Sequence, residues 1–153
     1  MANYKALLQG DRSREPLAWN QLNEQRDRIS DDVPALDALG NLDAERGERK
    51  AAEQTFRSVL ALAPNDLTAL SNLGVLLAKE GRLNESISML QKAFSRNQDL
   101  PGLSMNLARV ECMTGDEADA RATLQATLAF GSNLEDVKHL LAQMGSCKTT
   151  GTR

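Results

Sequence analysis

Apolar residues recur along this chain in steps of three and four. Leu36, Leu39 and Leu42 fall on one face of a helix, as do Phe56, Val59 and Leu60, and these stretches do not alternate as a half-buried strand would. Displacing the sequence by 34 residues superimposes Leu39, Leu73 and Leu107, then Gly47, Gly81 and Gly115. The same shift puts Leu36 on Leu70, Gly40 on Gly74 and Leu90 on Leu124, with no gap. Three windows follow, 33–66, 67–100 and 101–134, each holding two apolar-periodic stretches separated by the recurring glycine. The pattern predicts a helical hairpin per window. The glycine suits the left-handed position that closes a helix, so the first helix stops and the second folds back on it.

Punctuation residues set the expected ends. Ser30, Asp31 and Asp32 are candidate caps, and Pro34 opens a helix over 34–46. A second, 49–62, ends before Pro64-Asn65-Asp66; Asn84 starts 84–96, Pro101 opens 101–113, and Asp116 or Glu117 starts a helix running to 130. Ser132 and Glu135 have capping-box spacing and announce a helix over 135–144, whose Val137, Leu140, Leu141 and Met144 make it a solvating end cap. The polar GSCKTTGTR of 145–153 is expected to be disordered.

In window 33–66 the residues Leu36, Leu39, Gly40, Asp43, Ala52, Phe56 and Pro64 follow the pattern W-x2-L-G-x2-Y…A-x3-F…P, with Leu36 and Asp43 in the two aromatic places. The next window gives Leu70, Leu73, Gly74, Leu77, Ser86, Leu90 and Ala93, and the third Ser104, Leu107, Ala108, Glu111, Ala120 and Leu124. On these residues the chain resembles the tetratricopeptide repeat family. The resemblance implies a right-handed all-α solenoid of helix-turn-helix hairpins, 33–66, 67–100 and 101–134, with a C-terminal capping helix. Gly40, Gly74 and Ala108, with Ala52, Ser86 and Ala120, are the small residues that let helices approach, and stability comes from stacking neighbouring hairpins.

Residues 1–32 do not repeat the motif cleanly. Tyr4, Leu7 and Leu8 form a short apolar cluster, and Pro16 suits the first turn of a helix. Ala18 and Leu22 stand one period before Ala52 and Phe56, so the segment 1–32 reads as a degenerate leading repeat, or at least the second helix of one, that packs Trp19, Leu22 and Ile29 against helix 34–46. Arg12, Arg14, Arg26 and Arg28 are interspersed with Asp11, Glu15, Glu24 and Asp27, with Glu24 and Arg28 at i,i+4, which reads as a solvated face.

Composition narrows the function classes. The chain of 153 residues is 41% hydrophobic, 25% charged and 3% aromatic, with a net charge of −3, which fits one helical domain. Mixed charge and few aromatics argue against a nucleic-acid partner. No apolar run approaches the roughly 20 residues of a membrane span, and Met1–Gly10 lacks the features of a secretory signal. The chain therefore reads as cytoplasmic, or periplasmic if it is a mature fragment. Cys112 and Cys147 read as two free thiols in a reducing compartment.

Little here announces chemistry. His139 is the only histidine, and no CxxC spacing or phosphate-binding glycine loop occurs, so no metal, cofactor or catalytic residue is assigned. Cys112 and His139 fall near adjoining helix ends, but a dyad also needs an orienting group and an oxyanion site. Met105, Cys112 and Met113 read as core rather than as a soft patch.

The resemblance implies a concave groove, lined by the first helix of each unit, that receives an extended peptide or a partner's helix. Its groove places fall on Asp37, Ala38, Asn41 and Ala44, on Thr68, Ser71, Asn72, Val75 and Ala78, and on Met105, Asn106, Arg109 and Cys112. Asn72 and Asn106 occupy equal places, where family members hold a peptide backbone with asparagine amides. Family co-chaperones that clamp a C-terminal carboxylate are matched at Asn41 and Asn72, but Asp37, Gly102 and Asn106 fill the three cationic places, which argues against that ligand. Charge runs from Asp37 and Glu45 at one end toward Lys79, Arg109 and His139. The candidate site is thus Asp37, Asn41, Ser71, Asn72, Val75, Lys79, Met105, Asn106, Arg109 and His139, and the expected role is non-catalytic binding of another protein. The alternative is a homo-oligomer that self-associates through the segment around Trp19.

Overall fold

The computed structural model describes residues 3, 5–6, 9–130, 134–144 and 147. Among them eight α-helices follow one another and no strand occurs. The helices are α1 (Glu15–Glu24), α2 (Val33–Glu45), α3 (Arg49–Leu62), α4 (Leu67–Lys79), α5 (Leu83–Phe94), α6 (Pro101–Thr114), α7 (Glu117–Leu128) and α8 (Glu135–Gln143). Short 3-10 turns at Arg12–Arg14 and Arg26–Ile29 flank α1. The expected helices are all found, with ends displaced by at most two residues. Tyr4, Leu7, Leu8, Ser132 and most of the polar tail lie outside the described residues.

Each hairpin turn is built the same way. Gly47, Gly81 and Gly115 have φ of +81°, +78° and +91°, where an L side chain is strained. The residue after each glycine donates back over one helical turn: Glu48 N to Asp43 O at 2.8 Å, Arg82 N to Leu77 O at 3.0 Å, and Asp116 N to Glu111 O at 2.9 Å. These bonds satisfy helix-end carbonyls in a Schellman arrangement that repeats with the sequence period. At the other ends, Asp32 caps α2 through Ala35 N at 3.0 Å and Asp66 caps α4 through Ala69 N at 2.8 Å. Asn84 does not cap: α5 begins at Leu83, with Arg82 in the cap position and no side-chain bond. Leu134 takes the cap place of α8.

The chain forms two compact units, Met1–Leu73 and Gly74–Arg153. In the first, α2 and α3 pair closely enough that a Cβ on Gly40 would meet Phe56 Cε1 at 2.7 Å. Leu22, Leu39, Phe56 and Val59 are fully buried there. Contrary to the solvated reading, Arg26 is half-buried: it donates to Asp43 Oδ2 at 3.0 Å and to Thr55 Oγ1 at 2.8 Å. The Glu24–Arg28 pair is not formed, because α1 ends at Glu24 and the chain tightens into a 3-10 turn, breaking i,i+4 geometry.

In the second unit a Cβ on Gly74 would meet Leu90 Cγ at 2.6 Å, and Ser86 Oγ donates to Gly74 O at 2.7 Å. Helices α5 to α8 pack in succession, and Ala108, Ala120, Leu124, Val137 and Met144 form a core cluster. The two cysteines are not free thiols. Cys112 on α6 is disulfide-bonded to Cys147 beyond α8, with Cα atoms 5.1 Å apart. Packing of α8 against α6 brings the chain after α8 back to α6.

Candidate functional site

In the first unit, Asp37 and Asn41 are one helical turn apart on α2 and share a face. Asn72 on α4 donates its side-chain amide to Asn41 Oδ1 at 2.6 Å, and Ser71 beside it is half-buried. The two asparagines are therefore bonded to each other, leaving Asn41 Nδ2 and Asn72 Oδ1 as their remaining amide groups. Asp37 Oδ1 is buried without a hydrogen-bond partner. Loss of water, reinforced by the negative charge of Asp66, raises the Asp37 carboxyl from 3.8 to about 6.

In the second unit, Val75, Ala78 and Lys79 from α4 face Asn106, Arg109, Val110 and Met113 from α6 across a cavity of about 240 Å³. Four of the ten candidate residues, Val75, Lys79, Asn106 and Arg109, are brought together there. Val110 is buried and Met113 is 41% exposed. Sequence reading passed over Val110 and Met113 as groove residues. They stand four residues after Asn106 and Arg109, so carrying the same helical stripe one turn further finds them.

The other two candidates in this unit lie elsewhere. Met105 packs against the α6–α8 cluster, and His139 on α8 is exposed with Nε2 3.4 Å from Gln143 Nε2. Cys112 has its sulfur in the disulfide and offers no thiolate to a dyad with His139. Among the described residues no group of three or more His, Cys, Asp or Glu side chains is assembled to hold a metal, and no helix is long and apolar enough to cross a membrane.

Buried acids went unnoticed in the sequence. Glu111, 3% exposed, accepts from Thr123 Oγ1 at 3.0 Å and Gln91 Nε2 at 3.5 Å. Burial raises its carboxyl above the ordinary range against the lowering effect of those bonds. Glu111 and Asp43 both occupy the second aromatic place of the repeat pattern, and that shared place was the available signal.

Comparison with known proteins bears on this arrangement. Two family models, both described as tetratricopeptide repeat, match residues 35–68 and 77–144. A TPR repeat-containing protein of Pseudomonas aeruginosa is 27% identical over 89% of this chain, which spans only 23% of that relative's length. Pseudomonas aeruginosa PilF superimposes with a TM-score of 0.78 at 21% identity, over 94% of this chain and 66% of PilF. The Yersinia enterocolitica type III secretion chaperone SycD, solved with a peptide of the translocator YopD, gives a TM-score of 0.65 at 19% identity, over 76% of this chain and 89% of SycD. At these identities the structural likeness is one of fold.

Proposed function

Because the chain belongs to the tetratricopeptide repeat family, we propose that it is a non-catalytic protein-binding module, an adaptor, scaffold or assembly factor, that takes a partner's peptide or helix on the first helices of its hairpins. The observation that carries this reading is the α4–α6 cavity, where residues from two successive first helices converge on one apolar depression with polar groups at its edge. In the first unit, Asp37, Asn41, Ser71 and Asn72 supply a polar face of the same helical class. The peptide held by SycD supports a ligand of this kind. The Cys112–Cys147 bond supports an oxidising compartment such as a periplasm over the cytoplasm.

The test is affinity capture from native host extract on wild type beside an Asn41→Ala/Asn72→Ala/Asn106→Ala variant, after both show equal helicity and melting. A protein retained by wild type and lost by the variant supports the reading. Equal retention of every captured protein by both overturns it for this face.

A further inference from the structure

The α4–α6 cavity carries an uncompensated charge pattern. Lys79 on one wall and Arg109 on the other have no ion-pair or hydrogen-bond partner among the described residues. The acids next to them in sequence are committed elsewhere: Glu80 pairs with Arg82 at 3.3 Å, and Glu111 is turned inward to Thr123 and Gln91. In a chain of net charge −3, two cations are left flanking an apolar depression. Val75, Ala78, Val110 and Met113 line the same cavity, and Asn106 offers an amide donor and acceptor.

We propose that this cavity binds a partner segment in which one apolar side chain is flanked on both sides by side-chain carboxylates. The apolar residue fills the space between α4 and α6, where the flexible Met113 adapts to its shape. One carboxylate meets Lys79 and one meets Arg109, because the two cations stand on different helices on opposite walls. Lysine and arginine hold their charges at the water boundary while their stems extend the apolar wall. The occupant is an internal segment. A chain terminus supplies a single carboxylate, whereas the cavity sets one cation on each of two helices. This inference rests on the reading of the hairpins as a protein-binding module and specifies its ligand.

The test is a titration of the full ¹⁵N-labelled chain, followed by NMR, with an acetylated and amidated peptide of one leucine between two pairs of aspartates. A lysine-for-aspartate peptide and a serine-for-leucine peptide are the controls. The acidic leucine peptide is expected to shift the amides of Val75, Ala78, Asn106, Val110 and Met113. Lys79→Glu/Arg109→Glu, both exposed, is expected to weaken it by about fivefold or more and to favour the lysine peptide. Equal responses to acidic and basic peptides, or no shift at about 5 mM peptide, overturn the proposal. If the captured partner is lost by the asparagine variant yet held by Lys79→Glu/Arg109→Glu, this inference fails while the protein-binding reading stands.

Discussion

The indole Nε1 of Trp19 donates a 2.8 Å hydrogen bond to Oδ1 of Asp43, a side chain only 1% exposed. Arg26 holds the other carboxylate oxygen at 3.0 Å, and the guanidinium of Arg46 lies 4.2 Å from the centre of the Trp19 ring. The leading segment is thus joined to α2 through a buried charge in an aromatic place of the repeat. Both the edge and a face of Trp19 are engaged inside the first unit.

Removing Asp43 leaves the indole N–H without its acceptor and Arg26 without its ion-pair partner, while Arg26 keeps Thr55 Oγ1 and Asn23 Oδ1 as acceptors. Asp43→Ala is expected to cost roughly 2–3 kcal/mol, below the range for fully buried pairs because Arg26 is 34% exposed. Trp19→Phe, which keeps a ring but loses the donor, should cost about 1 kcal/mol. Thermal melts followed by circular dichroism rank the two; an Asp43→Ala melt equal to wild type would refute the network.

Leu90 lies where a Cβ on Gly74 would come within 2.6 Å of its Cγ. Gly74→Ala is expected to destabilise by about 1–3 kcal/mol through overpacking, although alanine is the better helix former. Shortening the opposing side chain tests the cause: Leu90→Ala should make Gly74→Ala less costly than it is in wild type. Additive effects would mean that α4 and α5 do not meet there.

The repeating turns and first-helix faces were legible because they rest on local constraints. A positive φ demands glycine at 47, 81 and 115, and a buried helix face demands leucine at helical spacing. The Asp43 and Glu111 networks were not, because their donors come from elsewhere in the chain: Trp19 and Arg26 for one, Gln91 and Thr123 for the other. A buried acid read alone looks like a solvated one. The cysteine pair was missed for a related reason. Cys147 sits in a polar tail, and only its separation of 35 from Cys112, one residue beyond the repeat period, hinted that the two fall side by side.

Asp37 makes stability depend on pH in the direction opposite to a salt-bridged carboxylate. Its folded value of about 6 lies above the ordinary 3.8, so between these values the folded chain keeps a proton that the unfolded chain has released. Stability therefore falls as pH rises from about 4 to 6, and the full cost persists above that window. Asp37→Asn should raise stability at pH 7 by on the order of 1 kcal/mol, after discounting for partial exposure, and by much less at pH 4. Melts of both proteins at the two pH values check the sign. A cationic residue of a partner placed beside Asp37 would relieve the same cost, so ligand binding there should lower this carboxyl's pKa.

The Cys112–Cys147 bond closes a loop that runs from α6 through α7 and α8 and covers the apolar cluster around Val137 and Met144. Fixing those ends removes freedom from the unfolded chain, a contribution of about 4 kcal/mol for a sequence separation of 35. Oxidised protein should take up no iodoacetamide under native conditions and two equivalents after reduction and unfolding. Reduction, or Cys147→Ser, should lower the melting temperature by roughly 8–16 °C. The loss should appear first as faster hydrogen exchange in α8, whose nine residues bury only Val137 fully, with Leu140 and Leu141 partly buried. Two rapidly alkylated thiols in the protein isolated without reductant would remove both the bond and its support for an oxidising compartment.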